Sequence, residues 1–269
     1  MLADMIETTA EPVAWLTEAF SSVQGEGPYA GVRQIFVRFY GCHRQCAYCD
    51  SPETVTAWQP PGFKPHAFRV EVTPGARDFR ELENPVTVGR LLALLREFDQ
   101  PPGLHHAVAL TGGEPLLHAR YLCELLPRLE HLGLKTYLET AGDLFHELEL
   151  LLPWLDIAAM DIKLPSVTRN EPAWPAHRQF LRRCVENEVE VFAKAVVSAD
   201  TDPRDLEQAC AVLREVAPDT LLVLQPMTPF GAERRAPGAE QLLAWHALAR
   251  TLIPHVRVIP QVHKFMDQL

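Results

Sequence analysis

Residues 20–49 read F-S-S-V-Q-G-E-G-P-Y-A-G-V-R-Q-I-F-V-R-F-Y-G-C-H-R-Q-C-A-Y-C, and the rest of the chain is best read outward from them. The apolar run 35–39 reads as a strand, and Gly41 closes it. Cys42, Cys46 and Cys49 then fall within eight residues. Three thiolates at that spacing can hold three irons of a four-iron cluster on one loop and leave the fourth iron without a protein ligand. An iron with an open position takes another ligand. A structural zinc site is the competing reading, and it needs a fourth thiolate or imidazole. The sequence has no second C-x-x-C and no H-x-x-x-H to supply one.

Downstream, short apolar runs alternate with helical periodicity. Strands are expected at 35–39, 107–111, 136–140, 157–163, 189–197, 221–225 and 256–259. Helices are expected at 88–98, 121–132, 145–152, 179–188, 204–216 and 240–252. Asp202-Pro203 reads as a helix start and Pro153 as a stop. Alternation of this kind argues for right-handed βαβ crossovers and a parallel sheet. Six or seven units are too few to close an eight-unit barrel. The expectation is therefore one α/β domain over 1–269, a partial (β/α)6-type parallel barrel open on one side. Residues 51–84 break the rhythm with five prolines and little periodicity. They read as an insertion after the cysteine loop, either a lid or docking surface or a plain surface elaboration.

Composition narrows the class. The chain has 269 residues, 47% hydrophobic, which is enough to bury a sizeable core. A net charge of −10 argues against nonspecific nucleic-acid binding. The N-terminus has neither a basic nor an apolar signal region, and the most apolar stretch, 148–160, is broken by Glu149, Pro153 and Asp156. A cytoplasmic protein with reduced thiols is expected, without membrane or nucleic-acid partners. Cys123, Cys184 and Cys210 lie among leucines, valines and alanines in helical patterns and read as structural.

In α/β barrels, ligand-binding groups sit on loops at the C-terminal ends of strands. The cysteine loop is at such an end, and so is T-G-G-E-P at 111–115. Its paired glycines suit close backbone approach to a ligand, and Glu114 offers an acceptor for an amine or a ribose hydroxyl.

The C-x-x-x-C-x-x-C loop followed by G-G-E-P resembles the radical S-adenosylmethionine (SAM) superfamily. The resemblance implies a [4Fe–4S] cluster on Cys42, Cys46 and Cys49, with SAM chelating the fourth iron. One electron from the cluster then cleaves SAM to a 5′-deoxyadenosyl radical that abstracts a substrate hydrogen. It also implies SAM contacts from Tyr48, Cys49, Asp50, Gly113 and Glu114, and from Asp161, Ile162, Lys163, Gln225, Pro226, Met227 and Thr228.

The S-x-Q-G-E-G pattern at 22–27 and the F-V-R ahead of Cys42 narrow the resemblance to the 7-carboxy-7-deazaguanine synthases. D-I-K at 161–163, L-Q-P-M at 224–227 and P-Q-V-H-K at 260–264 extend it along most of the chain. The implied reaction converts 6-carboxy-5,6,7,8-tetrahydropterin to 7-carboxy-7-deazaguanine with loss of ammonia, on the route to queuosine and modified tRNA. Val23, Gln24, Gly25, Glu26, Thr111 and His263 would meet the pterin. Arg38 would neutralise its carboxylate, a task that suits the guanidinium fork. The same likeness implies Mg²⁺, a flavodoxin- or ferredoxin-type electron donor and a homodimer. Three departures stand out. Ser51 occupies the place of a magnesium-binding threonine, the 51–84 segment is long, and the chain ends D-Q-L rather than in proline. Two readings compete: an activase that makes a glycyl radical on a partner protein, and a noncatalytic iron–sulfur or zinc protein.

Overall fold

The computed structural model describes residues 11–49, 51, 54, 67–229 and 235–269. Its strands are β1 Val13–Ala14, β2 Leu16–Val23, β3 Arg33–Phe39, β4 Phe68–Glu71, β5 Phe79–Leu82, β6 Val86–Thr87, β7 Ala107–Gly112, β8 Lys135–Thr140, β9 Ile157–Asp161, β10 Glu190–Val197, β11 Leu222–Pro226 and β12 Val256–Val258. Its helices are α1 Val88–Phe98, α2 Ala119–Glu130, α3 Phe145–Glu149, α4 Pro165–Thr168, α5 Trp174–Glu186, α6 Pro203–Val216, α7 Ala239–Leu252 and α8 Val262–Phe265.

Ten strands form one sheet in the order β12-β11-β10-β9-β8-β7-β3-β2-β4-β5. Every neighbouring pair from β3 to β12 is parallel. The remaining pair, β1 and β6, forms a small antiparallel ribbon. The edge strands β5 and β12 do not pair with each other, so the barrel stays open as expected.

Period-two alternation decides what each strand gives to each face. On β3, Ile35, Val37 and Phe39 enter the main core with the helices, while Phe36 and Arg38 face the other way. Leu138 of β8, Met160 of β9, Ala193 and Ala195 of β10 and Leu224 of β11 do the same. Their alternates Tyr137, Ala159, Phe192 and Val223 form a second, smaller core with Phe20, and that core contains no helical residue. Helices α1 to α7 thus pack on one face, while α8 brings His263 to the other. The concave face holds an apolar floor, and polar residues line it toward the C-terminal ends of the strands. Cys184 and Cys210 are buried in the main core, the structural role expected of them.

Several expected boundaries move, and the helix expected at 179–188 runs from Trp174 to Glu186. The helix at 145–152 ends at Glu149, and a 3-10 turn at Leu152–Trp154 takes up Pro153. The strand at 157–163 ends at Asp161, although Ile162 N still donates to Lys194 O at 2.7 Å. More is added than moved. Strand β2 runs antiparallel to β3, and residues 68–82 of the supposed insertion form a hairpin, β4–β5, on its far side. Phe68 and Val70 bury there against the core, and the Arg69 guanidinium lies 4.2 Å from the centre of the Phe79 ring. Most of 51–66, the rest of that segment, lies outside the described residues.

Candidate active site

One cavity on the concave face collects most of the residues singled out from sequence. Its wall includes Val23, Gln24, Gly25, Glu26, Arg38, Thr111 and His263 at one end. Cys42, Cys46, Tyr48, Cys49, Ser51, Gly113, Asp161, Lys163, Gln225, Met227 and Thr228 also line it. Not every expected residue is among them. The Ile162 side chain is buried in the main core, and Pro226 continues β11 without lining the cavity. Asp50 lies outside the described residues.

Glu114 is a correction of substance. Its side chain is 1% exposed and does not line the cavity. Oε1 accepts from Leu116 N at 3.1 Å and Thr140 Oγ1 at 2.8 Å, and Oε2 accepts from Ala141 N at 2.8 Å. The carboxylate therefore ties the β7 loop to the β8 loop rather than standing free as an acceptor. The glycines before it do a related job. Gly113 N donates to Phe39 O at 3.0 Å and Glu114 N to Gly41 O at 2.7 Å. A Cβ on Gly113 would overlap the Gly41 carbonyl, and Gly112 holds a φ of 112°. What these glycines approach closely is the backbone at the start of the cysteine loop.

The cysteine loop is braced from several sides. Gly41 N donates to Thr54 O at 2.8 Å and Ala47 N to Thr168 O at 3.1 Å. Arg44 Nε donates to Asp143 Oδ2 at 2.8 Å, and His43 Nε2 sits 3.0 Å from both oxygens of the same carboxylate. Burial opposes the Asp143 charge, but His43 and Arg44 bring its carboxyl down to about 2. Burial pushes the Cys42 thiol up to about 11 and raises Cys46 as well.

At the other end, Arg38 faces Glu18 across the β2–β3 ladder and pairs with it through Nε at 2.9 Å. Its NH1 donates to Ser51 Oγ at 3.1 Å within the cavity wall. Gln24 Nε2 donates to Glu139 Oε1 at 2.9 Å, and Thr111 Oγ1 donates to Glu139 Oε2 at 2.6 Å. Glu26 Oε1 accepts from Gln261 Nε2 at 2.7 Å and Gln225 Nε2 at 2.9 Å, while Oε2 pairs with Lys194. Burial works against the Glu26 charge, yet Lys194 and the two amides hold it down to about 2. Glu139 goes the other way: burial, then the neighbouring Glu26 charge, raise its carboxyl. His263 packs over Gly25, where any Cβ would overlap the imidazole, and Val262 N donates to Gly25 O at 2.9 Å.

Glu139, Lys194, Gln261 and Leu269 line the cavity and were not singled out from sequence. For two of them a signal exists. Glu139 in T-Y-L-E-T and Lys194 in V-F-A-K-A-V-V are lone charges inside otherwise apolar strands. A buried charge is costly unless paired, so such a residue marks a built site.

A 7-carboxy-7-deazaguanine synthase of Geobacter sulfurreducens is 40% identical over 97% of this chain and 100% of its own length. The chain belongs to the 7-carboxy-7-deazaguanine synthase family. A profile of the radical SAM superfamily matches residues 36–199. The synthase of Thermococcus kodakarensis is 31% identical over 94% of this chain and 98% of its own. In three dimensions the fold resembles the crystal structure of QueE from Escherichia coli, with a TM-score of 0.60 at 24% identity. That likeness covers 93% of this chain and 95% of the other.

Synthases of this family are radical SAM enzymes whose cofactors are a [4Fe–4S] cluster and SAM. The cavity fits both. Three cysteines share one wall, and two buried acceptors, Asp161 Oδ1 and Gln225 Oε1, have no hydrogen-bond partner among the described residues. Donors such as ribose hydroxyls or an amine match them. Magnesium fits less well. Ser51 Oγ already accepts from the Arg38 guanidinium, and among the described residues no three His, Cys, Asp or Glu side chains close around a single ion.

Proposed function

We propose that this cavity takes 6-carboxy-5,6,7,8-tetrahydropterin and, with SAM and the cluster, converts it to 7-carboxy-7-deazaguanine with loss of ammonia. The observation that carries the reading is one wall shared by Gln24, Glu26 and Arg38 with the three cysteines and Gly113. The cluster and SAM supply one-electron reductive cleavage and a hydrogen-abstracting radical. The protein's side chains bind, orient and exclude water.

Arg38 receives the substrate carboxylate with the guanidinium N–H groups left after its bonds to Glu18 and Ser51. Glu26, held ionised, accepts from the nitrogens of the pterin ring edge. Glu139, whose carboxyl is raised by burial and by the Glu26 charge, lines the same cavity. Gln24 and Thr111 fix the Glu139 oxygens, and His263 closes over Gly25. Asp161 Oδ1 and Gln225 Oε1 accept from SAM, with Tyr48, Cys49, Gly113, Lys163, Met227 and Thr228 around it. The whole chain acts as one catalytic domain. A homodimer in the cytoplasm, reduced by a flavodoxin or ferredoxin, completes the proposal. Among the described residues no helix is long and apolar enough to cross a membrane.

The test is anaerobic. Reconstituted protein incubated with the carboxytetrahydropterin, SAM, dithionite and Mg²⁺ should release a product with the mass of 7-carboxy-7-deazaguanine. Absence of any deazapurine under those conditions overturns the reading.

A further inference from the structure

Between the two ends of the cavity runs a buried ladder of alternating charge. Glu26 Oε2 pairs with Lys194 Nζ, and Lys194 Nζ stands 3.4 Å from Asp161 Oδ2. Lys163 Nζ donates to that same oxygen at 2.8 Å and lies 5.6 Å from the centre of the Tyr48 ring, inside the cysteine loop. The sheet sets the central spacing, because Lys194 of β10 and Asp161 of β9 are register partners on adjacent parallel strands. A second link runs beside the first. Gln225 Nε2 donates to Glu26 Oε1, while Gln225 Oε1 is buried without a partner among the described residues.

The free oxygens matter most. Asp161 uses only Oδ2 within the ladder, and its Oδ1 has no partner among the described residues. A ligand that donates to Asp161 Oδ1 and Gln225 Oε1 fixes both side chains. Fixing them fixes Lys194 and the carboxylate of Glu26. The carboxylates and ammoniums of the ladder balance two against two, and in a low-dielectric interior each pairing depends sharply on the position of the next. The first ligand to bind therefore meets most of the ordering cost, and the second meets less of it.

Building on the pterin reading above, we propose that Lys194 is a positioning residue coupling the two ligands: SAM at Asp161 and pterin at Glu26 each tighten the other through it. Coupling of this kind is reciprocal.

The experiment uses wild-type holoenzyme with its cluster oxidised and no reductant, so that neither ligand is consumed. SAM affinity is measured by anaerobic equilibrium dialysis with and without saturating 6-carboxytetrahydropterin. The wild type should bind SAM about 10-fold more tightly with pterin present. In Lys194→Met the ratio should fall below about twofold, and in Lys194→Arg, which keeps the charge, much of it should return. The ratio is read at pterin concentrations shown by dialysis to saturate each variant, so that a lost ratio does not come from lost pterin binding. If Lys194→Met does not fold, Lys194→Gln serves the same comparison. A wild-type ratio of one, or an undiminished ratio in the neutral variant, overturns the coupling while leaving the pterin reading intact. A wild type that binds no pterin overturns both.

Discussion

Arg38 is held by Glu18 through Nε and by Ser51 through NH1, and its remaining N–H groups face the cavity, so it is neither a spare surface cation nor a fully saturated one. Losing a charge-assisted hydrogen bond costs about 1.5–3 kcal/mol. Arg38→Ala should therefore raise KM for the carboxytetrahydropterin by roughly 10- to 100-fold, with SAM affinity in the absence of pterin unchanged, as read by steady-state kinetics and dialysis. An unchanged KM would mean that the carboxylate is held elsewhere. Gly113 makes a different prediction. Its substitution by Ala would push a Cβ into the Gly41 carbonyl and displace the start of the cysteine loop. Iron per chain after reconstitution should drop well below the wild-type value while the far-ultraviolet circular dichroism stays the same. Full iron content in Gly113→Ala would show that the loop can yield without losing its cluster.

The parallel strands and the helices between them follow from their own periodicity, and local rules test them one at a time. Thr87 caps α1, its side chain accepting from Arg90 N at 3.3 Å. Thr87→Ala should lower unfolding stability by about 1 kcal/mol in denaturant titration and leave KM alone. The β4–β5 hairpin is a different kind of element. It extends the sheet beyond β2 and reaches the C-terminal segment, where Arg77 NH2 donates to Asp267 Oδ1 at 2.8 Å. Ser22 Oγ donates to Gln268 Oε1 at 3.3 Å nearby, so the segment after α8 spans the open side of the barrel beside the cavity. The Arg77–Asp267 pair is well exposed, and such pairs contribute little. Arg77→Ala should leave global stability nearly unchanged but speed amide hydrogen exchange at 262–269. Exchange equal to wild type would show that the segment is held by its other contacts alone.

Acid sensitivity sums over the buried groups of the fold. His177 lies under the β8 loop, its Nε2 3.1 Å from Ala141 O, and burial pushes it down to about 4. The unfolded chain takes up that proton near pH 6.5 while the native protein does not, so stability is present above pH 6.5 and falls as pH drops toward 4. Burial lowers His105, His106 and His118 in the same direction. Glu26 and Asp143, both near 2, extend the loss below about pH 4.5. The raised His43, Glu114 and Glu139 act in the opposite direction, so the test is the difference between variants: His177→Gln should lose less stability than wild type as pH falls from 7 to 5 in denaturant titration. Equal losses in the two proteins would contradict this.

Much of this was legible in the chain, for physical reasons. A strand buried on both faces needs a continuous apolar run, a packed helix needs a 3.6-residue stripe, and both leave unambiguous marks. Three thiolates on one loop are legible too, because cluster chemistry demands short spacing. Strand β2, L-T-E-A-F-S-S-V, was not, because Glu18, Ser21 and Ser22 interrupt its apolar run and their partners Arg38, His105 and Gln268 lie far along the chain. The hairpin hid among prolines, and the order β3-β2-β4-β5 comes from long-range pairing that leaves no local trace. The partners of each charge were equally hidden. Sequence singled out Glu114 and Glu26 alike, but folding decided that Glu114 locks two loops together while Glu26 meets Lys194 from 168 residues away. Identity and spacing along the chain thus determined the cluster, the cofactor class and the sheet. Which oxygens stay free to meet a ligand was settled by tertiary packing, because desolvation drives most buried polar atoms to find a partner in the fold.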